Sequence, residues 1–322
     1  MTALDNGIYI DDSILQTIKK SDGIIFDCDG VLIDITKSYD LTIIKTTQYV
    51  LENIAKITDG IQVDSQIIDG FKSTGGFNDE VDLTYAVILS IVAAKNLGKD
   101  QRDFVFETIE HSDSTGIKSV EKYLQKISDI AQIKQALSYP GPHTTNPLYK
   151  IFDKIFYGPE LYRKLFGSDS EFTESGLIKN DVVIFNEILA EKLEDRFSTK
   201  IAMVTGRGRE SVKFSLGSLF SKFDLSNSAF LEDEPRELAK PNPTSLVRAI
   251  TGMKCKNVIY VGDSMEDLIM AKKATKLGHN TTFCGIIGTS KDPQNKLRMF
   301  EQNGAQIILD SIDLIPNVLN LE

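Results

Sequence analysis

The chain has 322 residues, 41% hydrophobic and 25% charged, ordinary for a globular protein and long enough for two domains with packed cores. Acidic residues outnumber basic ones 46 to 36; the net charge of −10 excludes nucleic-acid binding through a basic surface, and an anionic ligand must be drawn in by local cations. No apolar run approaches the roughly 20 residues that span a bilayer, Met1-Thr2-Ala3-Leu4-Asp5 lacks the regions of a signal peptide, and Cys28, Cys255 and Cys284 form no Cys-x-x-Cys pair, so a reduced cytoplasmic protein without a membrane partner is expected.

The first strong element is an apolar run at residues 23–26, read as a β-strand, which leads straight into Asp27-Cys28-Asp29-Gly30-Val31-Leu32-Ile33-Asp34. Residues i and i+2 point the same way while the chain stays extended, and Gly30 allows a sharp turn after them. Ligands of open α/β sheets bind outside the carboxyl ends of the strands. A charged pair placed there is costly unless it meets a hard cation such as Mg²⁺ or attacks a substrate.

A long helical stretch follows. Ile43, Ile44, Thr47, Val50, Leu51, Ile54 and Ile57 recur at three- and four-residue steps, as do Val120, Leu124, Ile127, Ile130, Ile133 and Leu137. Asn78 or Asp79 is read as the N-cap of a helix over residues 81–97, and Pro140-Gly141-Pro142 and Asn146-Pro147 break the pattern. The segment Lys72-Ser73-Thr74-Gly75-Gly76-Phe77-Asn78-Asp79 combines a lone lysine with glycines that permit close backbone approach. Lys72, Gly75, Gly76 and Asn78 are therefore candidate substrate contacts, against the plainer reading of a helix–helix turn. The whole block is weighed against a merely stabilising or homodimer-forming role.

From Asp181 strands and helices alternate. A helix over 182–197 precedes a strand over 200–204 that ends in Thr205-Gly206-Arg207; helices over 211–220 and 244–253 follow, with Lys240 in Ala239-Lys240-Pro241-Asn242-Pro243 at the mouth of the second. A strand over 258–261 leads to Gly262-Asp263-Ser264 and Asp267, then a helix over 265–277 and short strands at 281–284 and 305–309. This alternation implies an α/β fold with a doubly wound parallel sheet. Gly206-Arg207-Gly208 fails as a dinucleotide fingerprint, because Ser211 stands at the third glycine position. His111, His143 and His279 lack zinc-ligand spacing.

In order and residue type the four polar segments resemble the haloacid dehalogenase-like superfamily. Asp27, Asp29, Gly30, Val31 and Asp34 match its Asp-x-Asp-Gly-Val-x-x-Asp signature, Thr205 its strand-end hydroxyl, Lys240 its lysine, and Gly262, Asp263, Ser264 and Asp267 its Gly-Asp-Ser-x-x-Asp. The match is strong near residues 20–35 and 180–310 and weaker across 36–180. The resemblance implies a Rossmann-like core from 1–34 and 181–322 with an inserted α-helical cap over 35–180. It further implies a Mg²⁺-dependent phosphatase, near the phosphoglycolate phosphatase-like enzymes, acting on a small phosphorylated metabolite through an aspartyl-phosphate intermediate. In that scheme Asp27 is the nucleophile and Asp29 the general acid–base; Thr205 and Lys240 hold the phosphoryl group, with Gly206 and Arg207 among the substrate-binding residues. The metal would lie among Asp27, the backbone carbonyl of Asp29 and Asp263, with Asp267 supporting it or orienting Lys240. Asp29 argues against dehalogenase chemistry. A phosphomutase is the alternative, and a non-catalytic binding or regulatory protein a more distant one.

Overall fold

A strand buried on both faces must alternate its side chains between two cores, and the central strand of this protein does so: Ile24 and Phe26 join one apolar cluster, Ile25 another. Its neighbours alternate in step, with Ile201, Met203, Ile259 and Val261 on the first side and Ala202, Val204, Val258 and Tyr260 on the second. The computed structural model describes residues 2–4, 7–77, 79–143 and 145–320. Its strands are β1 (Thr2–Leu4), β2 (Ile8–Ile10), β3 (Gly23–Phe26), β4 (Ile33–Asp34), β5 (Val182–Val183), β6 (Ile201–Thr205), β7 (Ala229–Phe230), β8 (Asn257–Gly262), β9 (Asn280–Ile286) and β10 (Ile307–Leu309).

Eight of these form one sheet in the order β1-β2-β10-β9-β8-β3-β6-β7. From β10 to β7 every pairing is parallel, and β2 pairs antiparallel with both β10 and β1. The fold is thus the expected α/β type with a mostly parallel sheet, plus an antiparallel edge that the sequence did not announce. The order places β3 between β8 and β6, so the chain ends after Phe26, Thr205 and Gly262 come out side by side.

Contacts divide the chain into two units, Met1–Thr36 with Asp181–Glu322, and Lys37–Asn180. At the junction β4 and β5 pair antiparallel through Ile33–Val183 and Asp34–Val182. A helix over 182–197 was expected, but the helix is Glu187–Phe197, with Asn186 as its N-cap accepting from Leu189 N. Two adjacent β-branched residues suit strand pairing better than a helix start. The helix expected over 211–220 is Arg209–Leu216, closed by Gly217 at φ +57°.

Among the described residues, the regular elements of the second unit are all helices. Its spine is Glu80–Leu97, buried on all sides from Leu83 to Ala94, as an all-round apolar helix must be. Asp79 caps this helix by accepting from Val81 N; Asn78 lies outside the described residues. The glycines of the preceding turn have local structural causes. Gly75 sits at φ +78°, and a Cβ on Gly76 would lie 2.5 Å from the backbone of Asp113 and Gly116. Lys72 reaches Glu80 within the same turn, Nζ–Oε1 3.4 Å.

Gly76→Ala should therefore destabilise this unit by about 1–3 kcal/mol through overpacking against backbone. Chemical denaturation of the variant checks this; wild-type stability would show that the two backbones can part at no cost.

Candidate active site

The site begins where β3 ends. Asp27 N donates to Val261 O at 2.8 Å, extending the ladder by one residue and fixing Asp27 at the sheet edge. The turn then closes on itself: Leu32 N donates to Cys28 O at 2.8 Å and Gly30 N to Ile33 O at 2.8 Å. Gly30 is required twice, by φ +71° and because a Cβ there would lie 2.4 Å from Asp263 Oδ2.

Asp27 is buried, and Oδ1 accepts from Lys240 Nζ at 2.8 Å and from Cys28 N at 2.7 Å. Oδ2 has no donor among the described residues. Lys240 reaches across to Asp267 Oδ1 at 2.7 Å as well. Asp267 is saturated: Oδ1 also accepts from Tyr260 Oη at 2.7 Å, and Oδ2 from Ser264 Oγ at 2.7 Å and from the backbone N–H groups of Asp263 and Ser264. Ser264 and Asp267 form a reciprocal capping box at the start of Met265–Lys276, which explains the fixed spacing of these two residues.

Asp263 is turned instead toward Lys296, Oδ2–Nζ 2.7 Å. Asp29 is held by Arg207, Nη1–Oδ1 3.1 Å, and the same guanidinium donates through Nη2 to Asp181 Oδ2 at 2.7 Å. Ser215 Oγ donates to that Asp181 oxygen at 2.7 Å. Arg207, expected among the substrate contacts, has a side chain only 1% exposed and is committed to these two carboxylates. Thr205 is buried at the end of β6, and its Oγ1 accepts from Arg207 N. Gly206 is exposed, with open space where a Cβ would stand.

Burial sets the electrostatics. It pushes the Asp27 carboxyl up to about 8; Lys240 pulls against it, and the charges of Asp267 and Asp263 add to it. Burial likewise raises Asp29, against Arg207 and with help from Asp181. Asp267 runs the other way: burial works against its charge, but Lys240 and the hydrogen bonds from Tyr260 and Ser264 keep its carboxyl below the ordinary range. Lys240, though buried, is held above the ordinary lysine range by Asp267 and Asp27.

Asp27, Asp263 and Asp267 each offer an oxygen, all within 4.8 Å of one another. Against these three carboxylates stand two ammonium groups, Lys240 and Lys296, so negative charge is left over in a buried place. Hard oxygen donors, excess negative charge and the open Oδ2 of Asp27 fit a hard divalent cation. The Asp29 carboxylate stands outside this group. The second unit's candidates Lys72, Gly75 and Gly76 belong to a separate body of the chain. Sequence reasoning missed Tyr260, Asp181, Ser215 and Lys296. Tyr260 carried a signal, as a polar group inside the apolar run of β8; the others stood in no recognisable pattern.

Residues 184–275 match the family model described as haloacid dehalogenase-like hydrolase, a stretch that holds Thr205, Lys240, Asp263 and Asp267. No curated protein matches the chain. Among solved structures, a Northeast Structural Genomics Consortium target, ZR25, superposes with a TM-score of 0.67 at 17% identity, covering 93% of this chain and 98% of that one. Phosphatase Tt82 from Thermococcus thioreducens gives a TM-score of 0.58 at 22% identity, covering 87% of this chain and 99% of that one. These likenesses show a shared fold across most of the chain. The stretch that carries the family's sequence pattern lies within the α/β unit that holds Asp27, Lys240 and Asp263.

The raised Asp27 carboxyl has a consequence for stability. A carboxyl whose folded pKa lies above its unfolded value favours the fold below the unfolded value and loses that contribution as pH climbs to the folded one. For Asp27 the window runs from 3.8 to about 8. In chelator, the melting temperature should fall as pH rises through this window, and Asp27→Asn, with no proton to lose, should flatten the fall. Parallel slopes for the two proteins would contradict the burial of an under-neutralised carboxyl.

Proposed function

We propose that this protein, with its core of the haloacid dehalogenase-like hydrolase type, is a Mg²⁺-dependent phosphatase that releases phosphate from a small phosphorylated metabolite through an aspartyl-phosphate on Asp27. One observation carries the reading. A buried carboxylate at the end of the central strand has one oxygen fixed by Lys240 and Cys28 N, and the other has no donor among the described residues.

Phosphate monoesters are very stable, so their hydrolysis asks for a positioned nucleophile and strong charge neutralisation. Asp27 Oδ2 attacks phosphorus while Lys240 holds Oδ1, so the carboxylate cannot rotate away. The ester oxygen leaves toward Asp29, whose carboxyl is raised above the ordinary range by burial, the direction a proton donor needs. Asp29 then takes a proton from the water that attacks the aspartyl-phosphate. Thr205 Oγ1 and the amide of exposed Gly206 donate to the phosphoryl oxygens. Arg207 is a positioning residue: it holds Asp29 and leaves the substrate to others. Asp27, the backbone carbonyl of Asp29 and Asp263 would hold Mg²⁺, which would supply the charge neutralisation that lets an anionic nucleophile approach an anionic phosphate. Asp267 keeps Lys240 in place and does not serve as a ligand, since both its oxygens already accept two or more hydrogen bonds. Choice among phosphorylated metabolites is assigned to the helical unit, the part of the chain least like the family.

Asp27→Asn should abolish hydrolysis of a generic aryl phosphate and keep the fold, as read by circular dichroism; near wild-type turnover would remove Asp27 as nucleophile. Chelator should stop the wild-type enzyme and Mg²⁺ restart it.

Asp29→Ala should lose roughly 10²–10⁴-fold on alkyl phosphates and far less on an aryl phosphate whose leaving group needs little protonation. Equal losses on the two substrates would count against Asp29 as the acid.

A further inference from the structure

Lys296 lies outside every motif of the sequence, yet its ammonium is 2.7 Å from Asp263 Oδ2, with the lysine side chain 14% and the aspartate side chain 25% exposed. The segment that delivers it is pinned at several points. Ile287 N and Gly288 N donate to Leu309 O and Asp310 O, each at 3.0 Å, and a Cβ on Gly288 would lie 2.0 Å from Asp310 O. Thr289 Oγ1 donates to Gly30 O at 2.7 Å, tying the segment to the turn that follows Asp29. Asp292 then caps the helix Pro293–Gln302, on which Lys296 stands. The ammonium is therefore a built part of the site rather than a lysine at the end of a free surface chain.

Lys240 is taken up by Asp27 and Asp267. Asp263 is left as the carboxylate that a second cation must neutralise, and Lys296 is the one that meets it. We propose that Lys296 is the internal counter-cation of the metal site: it neutralises Asp263 when no metal is bound, opposes the incoming dication by like-charge repulsion, and so sets how tightly Mg²⁺ is held. A unit charge a few ångströms from a dication is worth a measurable change in affinity even under strong screening. The same ammonium keeps the metal-free pocket from carrying a second uncompensated carboxylate, and so supports the fold in chelator. The inference rests on the metal part of the proposed function.

The test is calorimetric titration of Mg²⁺ into metal-free wild type, Lys296→Met, Lys296→Gln and Lys296→Arg, with thermal unfolding of each in chelator and in Mg²⁺. Both neutral variants should bind Mg²⁺ about fivefold more tightly or better, and Lys296→Arg should stay near wild type. The neutral variants should melt lower in chelator and gain more from added Mg²⁺. Unchanged or weaker binding by the neutral variants, with wild type still binding, overturns the role of Lys296 and leaves the metal site standing. Absence of binding by all four proteins overturns both.

Discussion

Lys240 is the one group that lets the rest of the site exist. Its ammonium sits between Asp27 and Asp267, at 2.8 and 2.7 Å, where water cannot share the charge. A buried carboxylate without a partner is strongly unfavourable, and removal of one member of such a pair leaves the other uncompensated. Lys240 divides its effect unequally. Asp267 receives further hydrogen bonds and is held fully ionised; Asp27 receives fewer and is left under-neutralised. One carboxylate thus becomes a fixed support, and the other is left reactive.

The remaining cations extend the same logic outward. Arg207 couples Asp29 to Asp181, and Ser215 completes Asp181, so the expected acid is held by a side chain that is itself almost wholly inside the protein. Lys296 does the same for Asp263 from the helix after β9. Each acid at the strand ends has its own restraint from a different element. A cation taken up by this pocket would meet ligands already in place rather than gather them.

The core of the fold was legible because its strands are buried on both faces and read as short apolar runs between helices. The site was legible because acids at strand ends contradict their surroundings. Where reading failed, the physical reason is visible. β1 and β2 are three-residue strands whose pairing with each other and with β10 depends on distant partners, with no local period to see. Val182 and Val183 continue an apolar stretch into a helix, and only the partner strand at Ile33–Asp34 reveals them as β5. Arg207 looked like a free cation at a strand end, because the sequence does not show that Asp181 returns beside it. Lys296 is the single lysine of a polar helix and belongs to no motif. Gly76 shows the converse: a glycine that suggested ligand contact is explained by a close crossing with Gly116.

The central claim is that Asp27 carries the phosphoryl group before water does. Two in-line displacements at phosphorus restore the original configuration; a single attack by water inverts it. Hydrolysis of an isotopically chiral thiophosphate monoester in heavy-oxygen water distinguishes them. The account predicts net retention at phosphorus, and inversion would contradict it.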